Sequence, residues 1–219
     1  MSLVGWTTVS AFTVAIAAAL AIWGRPAQRR WVHWLAKPSA MLSVLASLIL
    51  LCHAANTTPP YWLVLGMTCA LLGDVLLMFS EPYFVAGAGA FLMTLLCYAW
   101  SFLSLHASLA WLSVTVPLAF IPGLLVYRWL RKGVGRLRRP IFIYVCAMSL
   151  FVGSATAYAL AAPTAPLGRG AAALGALLFM ASDTLVARRR FVAPAAPYGV
   201  ELGSYFAAQW LLALSAWVT

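Results

Sequence analysis

Long apolar runs alternate with short polar clusters along the chain, and that alternation predicts its elements. Runs of about 20 apolar residues are long enough to cross the hydrocarbon core of a membrane as helices. Eight can be marked off, at 3–23, 38–56, 60–79, 83–105, 108–130, 140–161, 170–187 and 198–218. Pro38, Pro60 and Pro140 fall at or near run starts, where a missing N–H costs little. Pro117 and Pro122 fall inside the fifth run and are expected to bend it. The polar clusters carry a topology signal. The first loop holds Arg25, Arg29, Arg30 and Lys37. The fifth holds Arg128, Arg131, Lys132, Arg136, Arg138 and Arg139, and the seventh Arg188, Arg189 and Arg190. Of the fourteen Lys and Arg residues, only Arg169 falls on the other side. Positive charge concentrates on cytoplasmic loops, so odd-numbered loops are expected inside and both termini outside. The pattern predicts an all-α polytopic membrane protein with eight transmembrane helices, N-out and C-out, forming a single transmembrane helical domain over 1–219. No basic segment precedes the first run, which reads as a retained helix rather than a cleaved signal peptide.

Composition narrows the picture further. The chain is 64% hydrophobic and 8% charged, whereas charged residues make up about a quarter of a soluble domain. No stretch is left over for one. A net charge of +10 could draw nucleic acid if it covered one face, but here it is divided among loops between apolar runs, which argues against that partner. Cys52, Cys69, Cys97 and Cys146 all lie in apolar runs without CxxC spacing, so they read as small core residues. His33, His53 and His106 show no i, i+4 pair, which argues against zinc. GxSxG, P-loop and dinucleotide fingerprints are missing. Gly87 and Gly89, in Ala86-Gly87-Ala88-Gly89-Ala90, read as permitting close helix contact.

The acids remain. Asp74 sits in the apolar stretch 70–79 and Asp183 in 175–186. An ionisable group at membrane depth costs roughly 2.5–3.5 kcal/mol on insertion scales, so each is a functional candidate. Each lies five residues before the cytoplasmic end of its run, at Phe79 and Arg188, hence roughly 7–8 Å inward. Glu81, in the third loop, and Glu201, near the start of the eighth run, lie on the same side. The two Asp stretches share an Ala-Leu-Leu lead-in and a direction, a trace of a four-plus-four repeat. Two carboxyls facing one cavity would hold one proton between them, giving a general acid beside an ionised partner. The plainer reading is that each hydrogen-bonds between helices. Lys37, just before Pro38, would oppose the dipole of a helix starting there. Asp74, Asp183 or a lipid phosphate would compensate it, unless it is a simple interfacial anchor. Glu201, Tyr205 and Gln209 recur every four residues and share one helix face, which suggests a polar cavity. Tyr144, four residues past Pro140, and Tyr98, one turn after Thr94, could join it or simply pack.

Taken in order, these elements resemble the YhhN family of membrane proteins. The matching features are Lys37-Pro38, Leu71-Leu72-Gly73-Asp74, Gly89-Ala90-Phe91 followed by Tyr98, Ser182-Asp183, and Tyr205-Phe206-Ala207-Ala208-Gln209. Order and spacing fit from Lys37 to the C-terminus. Characterised members are lysoplasmalogenases, so the resemblance implies an eight-helix enzyme of the bacterial inner membrane. Such an enzyme hydrolyses the vinyl ether of lysoplasmalogens to a fatty aldehyde and glycerophosphocholine or glycerophosphoethanolamine. Its partners would be a lysophospholipid substrate and membrane lipids, with no nucleic acid and no cofactor. Asp74 and Asp183 would be catalytic, one protonating carbon and the other stabilising the oxocarbenium-like cation. Lys37, Tyr98, Tyr144, Glu201, Tyr205 and Gln209 would bind substrate. One position departs from the family: many members carry His three residues before the position of Tyr98, where this chain has Leu95. The main rival is a proton-coupled transporter or lipid flippase using the same acids as a relay. A structural or sensory membrane protein is a third reading.

Overall fold

A computed structural model describes residues 3–25, 29–79, 81–105, 108–161, 166–194 and 196–216. His106 and the side chain of Glu81 lie outside the described residues. The elements are α1 (Leu3–Trp23), α2 (Arg30–Ala54), α3 (Tyr61–Leu76), α4 (Phe84–Ser104), α5 (Leu109–Leu130), α6 (Arg138–Leu160), α7 (Pro166–Phe191) and α8 (Tyr198–Ser215). Short 3-10 turns at Glu81–Tyr83 and Gly135–Leu137 lead into α4 and α6.

The outer surface shows what solvent this fold is built for. Phe12, Ile16 and Leu20 form an exposed row on α1, and Leu118, Ile121 and Leu125 another on α5. Water would penalise such rows, whereas lipid accepts them and demands only that backbone groups pair within each helix. Among the described residues six helices (α1, α2, α4, α5, α6 and α7) are long and apolar enough to cross a membrane. The protein is an integral, multi-pass membrane protein. α3 is a shorter apolar helix of 16 residues, and α8 has 18 residues and carries Glu201, Tyr205 and Gln209.

Several boundaries differ from the expected ones, each for a physical reason. α2 starts at Arg30 and runs through Pro38. The proline removes one N–H, but the turn before it is apolar and aromatic enough to continue. Lys37 is therefore inside the helix and not at its N-terminus, so the expected dipole conflict at its own helix start does not arise. α3 stops at Leu76 because the next bonds tighten, Met78 N–H donating to the Val75 carbonyl and Phe79 N–H to that of Leu76. α7 extends at both ends, which puts Arg188, Arg189 and Arg190 in its last turn, where cations favour the macrodipole. α5 continues through Pro117 and Pro122.

Sequential hairpins pack together: α1 on α2, α3 on α4, α5 on α6 and α7 on α8. α2 then packs on α3 and α8, and α6 on α7 and α4. Shifting every label by four converts the α2–α8 contact into α6–α4, so the packing largely repeats between halves. Asp74 of α3 and Asp183 of α7 occupy corresponding helices. The centre is aromatic. Tyr98, Phe151 and Phe179 lie with ring centroids 5.4–6.2 Å apart. Close approach here depends on Gly66, where an added Cβ would come 2.5 Å from the Tyr98 ring. Gly66→Ala would gain about 1 kcal/mol of helix propensity. Overpacking costs about 1–3 kcal/mol, and a ring wedged between two others sits at the upper end. The variant is expected to melt below the wild type in a detergent thermal scan.

Candidate active site

Asp74 is two residues from the end of α3, where a negative charge meets the negative end of the helix dipole. The fold answers with a cation. Lys37 Nζ lies 2.9 Å from Asp74 Oδ1, with side-chain exposures of only 10% and 3%. The same ammonium is 3.5 Å from the Asp74 carbonyl, one of the helix-end acceptors whose place in the ladder the tightened turn has taken. The Tyr205 hydroxyl of α8 donates to the other carboxylate oxygen, Oδ2, at 2.7 Å. Asp74 thus has a cation and a phenol of its own.

Asp183 is built differently. The Tyr144 hydroxyl of α6 donates to Asp183 Oδ2. Neither of the two ion pairs among the described residues involves it. Asp183 is partly exposed and Asp74 is buried. Both line one cavity of about 730 Å³, within the roughly 300–1,000 Å³ typical of ligand pockets. The two acids thus share a cavity, while each takes its hydrogen bond from a tyrosine of a different helix. The half-to-half correspondence persists here, with Lys37 of α2 on Asp74 and Tyr144 of α6 on Asp183.

Lys37, Tyr144, Glu201 and Tyr205 also line the cavity. Tyr98 and Gln209 are not among its lining residues. Tyr98 donates to Gln209 Oε1 at 2.6 Å, and both side chains are fully buried. Among the described residues the Gln209 amide nitrogen meets no hydrogen-bond acceptor. The two side chains expected to contact substrate thus pair with each other behind Tyr205, which sits one turn before Gln209, and the cavity lining does not include them. Leu95, at the family's His position, is fully buried in the apolar core and not at the cavity.

Arg189 and Tyr198 are site residues that the sequence pattern did not single out, because a basic run at a helix end reads as a topology signal. Arg189 Nε donates to Glu201 Oε2 at 2.7 Å, and its Nη2 to the Ala196 carbonyl at 3.0 Å. Ser182, next to Asp183, donates to the Glu201 carbonyl at 2.9 Å. This clasp fixes the short α7–α8 turn at the cavity rim. Arg25 lies over the Tyr198 ring at 3.7 Å, and Arg190 over that of Phe84 at 4.6 Å. The signal that could have found the clasp is the twelve-residue spacing of Arg189 and Glu201 across a short reversal. Among the described residues no three His, Cys, Asp or Glu side chains converge as a metal site.

Comparison with known proteins identifies the family. No solved structure matches the chain. A lysoplasmalogenase of Mycobacterium bovis is 32% identical over 161 residues, covering 67% of this chain. The chain spans only 58% of that relative's length. The lysoplasmalogenase TMEM86B of Rattus norvegicus is 30% identical over 210 residues, 94% of this chain and 82% of its own length. The YhhN family profile matches residues 32–216, from just before Lys37 to the end of α8. The chain belongs to the YhhN family.

Proposed function

We propose that this protein is a lysoplasmalogenase, hydrolysing the vinyl ether of a lysoplasmalogen to a fatty aldehyde and a glycerophospho-base. The observation that carries the reading is the pair of unlike carboxyls on one largely apolar cavity. The relatives named as lysoplasmalogenases support the substrate class. Asp74, held by Lys37 and Tyr205, is the ionised member. Asp183, bonded to a phenol alone and open to the cavity, carries the proton.

The chemistry follows from those states. Asp183 delivers its proton to the vinyl carbon remote from oxygen, and the π electrons form the new C–H bond. The carbon next to oxygen becomes an oxocarbenium centre, which the Asp74 carboxylate stabilises. Water adds there and loses a proton to Asp183, now a base. The hemiacetal then collapses: Asp183 gives its proton to the glycerol oxygen as that C–O bond breaks, and the hemiacetal hydroxyl, becoming the aldehyde carbonyl, passes its proton back to the Asp183 carboxylate. Aldehyde and alcohol leave, and the acid is restored. Arg189, held by Glu201, and Arg190 lie on α7 six and seven residues beyond Asp183, roughly 9–11 Å along the axis, and would give the rim the positive charge that draws the phosphate. Lys37 is engaged by Asp74 and serves to keep that carboxylate charged.

The same reading has all eight helices crossing the membrane, N-out and C-out, with the arginine rim on the cytoplasmic side of a bacterial inner membrane. Purified protein in detergent, given lysoplasmenyl lipid, is expected to release free aldehyde and glycerophospho-base in equal amounts. If lipid crosses a vesicle bilayer and no aldehyde forms, the transporter or flippase reading replaces this one.

A further inference from the structure

The ring contacts between α4 and α6 among the described residues lie at one end. The two C-terminal halves meet through Tyr98 on Phe151, and Phe102 on both Phe151 and Tyr158, with centroids 5.4–6.3 Å apart. No ring pair joins the N-terminal halves among the described residues. Instead both halves line the cavity. Val85, Ala88, Gly89 and Leu92 present a stripe at i, i+3, i+4 and i+7 from α4, and Ile143 and Met148 do so from α6. Two of these are lining residues and outer-surface residues at once, Val85 at 62% and Ile143 at 56% exposure. The cavity therefore reaches the outer surface at both. Gly89 lies on the α4 stripe: a Cβ there would meet nothing within 4 Å. Its neighbour Gly87 is the close-packing glycine, with a Cβ position 2.8 Å from Leu77. α4 and α6 both belong to the apolar spans, so this surface faces hydrocarbon, and the six residues named carry no polar side-chain atom.

We propose that the gap between the N-terminal halves of α4 and α6 is a lateral slot. It takes the substrate's alkyl chain straight from the membrane, and Gly89 sets how much chain it admits. The inference rests on the lysolipid-hydrolase reading for its substrate. A chain in the slot leads inward to the acids while the polar head stays at the arginine rim. The substrate then never has to leave the bilayer.

Filling the slot tests this. In Gly89→Trp, kcat/KM for a long-chain lysoplasmenyl lipid is expected to fall by about tenfold or more, while that for a short-chain, water-soluble vinyl ether glycerophosphate holds. Ile143→Trp, from the opposite wall, should repeat the selective loss should Gly89→Trp fold poorly. Retention of both activities in a folded Trp variant, or an equal fall in both, overturns the slot. A second measurement does not depend on turnover. A saturated ether lysolipid with a diazirine at the chain end should photolabel 84–92 and 140–148. Excess unlabelled lysolipid and Gly89→Trp should each remove that label. Labelling confined to other helices overturns the proposal even if aldehyde is released. Slot labelling with no aldehyde from wild type leaves the slot standing and removes the hydrolase reading.

Discussion

Asp183→Asn is expected to lower aldehyde release by about 10²–10⁴-fold, the usual contribution of a general acid. Asparagine keeps the size of the side chain and still offers an oxygen to the Tyr144 hydroxyl, so the cavity should keep its shape. It has no acidic proton for carbon, and protonation of a vinyl ether carbon begins the reaction. Substrate binding should survive, so the loss should fall on kcat with KM little changed. Tyr144→Phe removes the phenol but leaves the acid. It should cost far less, since the phenol orients the carboxyl and donates nothing to substrate. An Asp183→Asn enzyme that turns over at the wild-type rate, with its melting temperature intact, would remove Asp183 from the chemistry. An equal loss in both variants would instead point to Tyr144 as the reacting group.

The residues that carry this site were visible in the sequence because each is a polar interruption of an apolar run. Asp74, Asp183, Lys37, Tyr205 and Tyr144 all stand out for that reason, and all line the cavity. Their partners did not stand out. Lys37 meets Asp74 across 37 positions, and Tyr205 meets the same carboxylate across 131. Such pairings are decided by which helices pack, and composition does not encode that directly. Gln209 looked like a cavity residue because it shares a helix face with Tyr205. The fold turns that face inward past the cavity, where Tyr98 meets it. Gly89 looked like a packing glycine beside Gly87, yet only Gly87 touches a neighbour. Helix existence was legible and helix ends less so. By sequence alone Pro38 opens α2, but an interior proline costs one hydrogen bond and the helix begins at Arg30. The corresponding positions of Asp74 and Asp183 were foreshadowed by the shared Ala-Leu-Leu lead-in, which α2–α8 and α6–α4 packing now extends to the fold.

Lys37→Met is expected to cost about 3–5 kcal/mol of stability, because it strands a buried carboxylate. Two effects act together. The Asp74 charge loses its ion-pair partner and keeps the Tyr205 hydroxyl. The end of α3 loses the ammonium near its exposed carbonyl, at a point where the helix dipole already disfavours an anion. Asp74→Asn should also destabilise, since it leaves the Lys37 ammonium buried among neutral groups. The double variant Lys37→Met/Asp74→Asn removes both charges and should melt closer to wild type than either single variant. The resulting cycle isolates the pair. Stability and catalysis then separate. If the ionised Asp74 stabilises the oxocarbenium centre, the double variant should fold well and still release almost no aldehyde. Recovery of turnover along with stability would make the Lys37–Asp74 pair a structural clamp, leaving Asp183 to act without an anionic partner. A Lys37→Met protein that melts with the wild type would show that Asp74 is not held as a buried carboxylate at all.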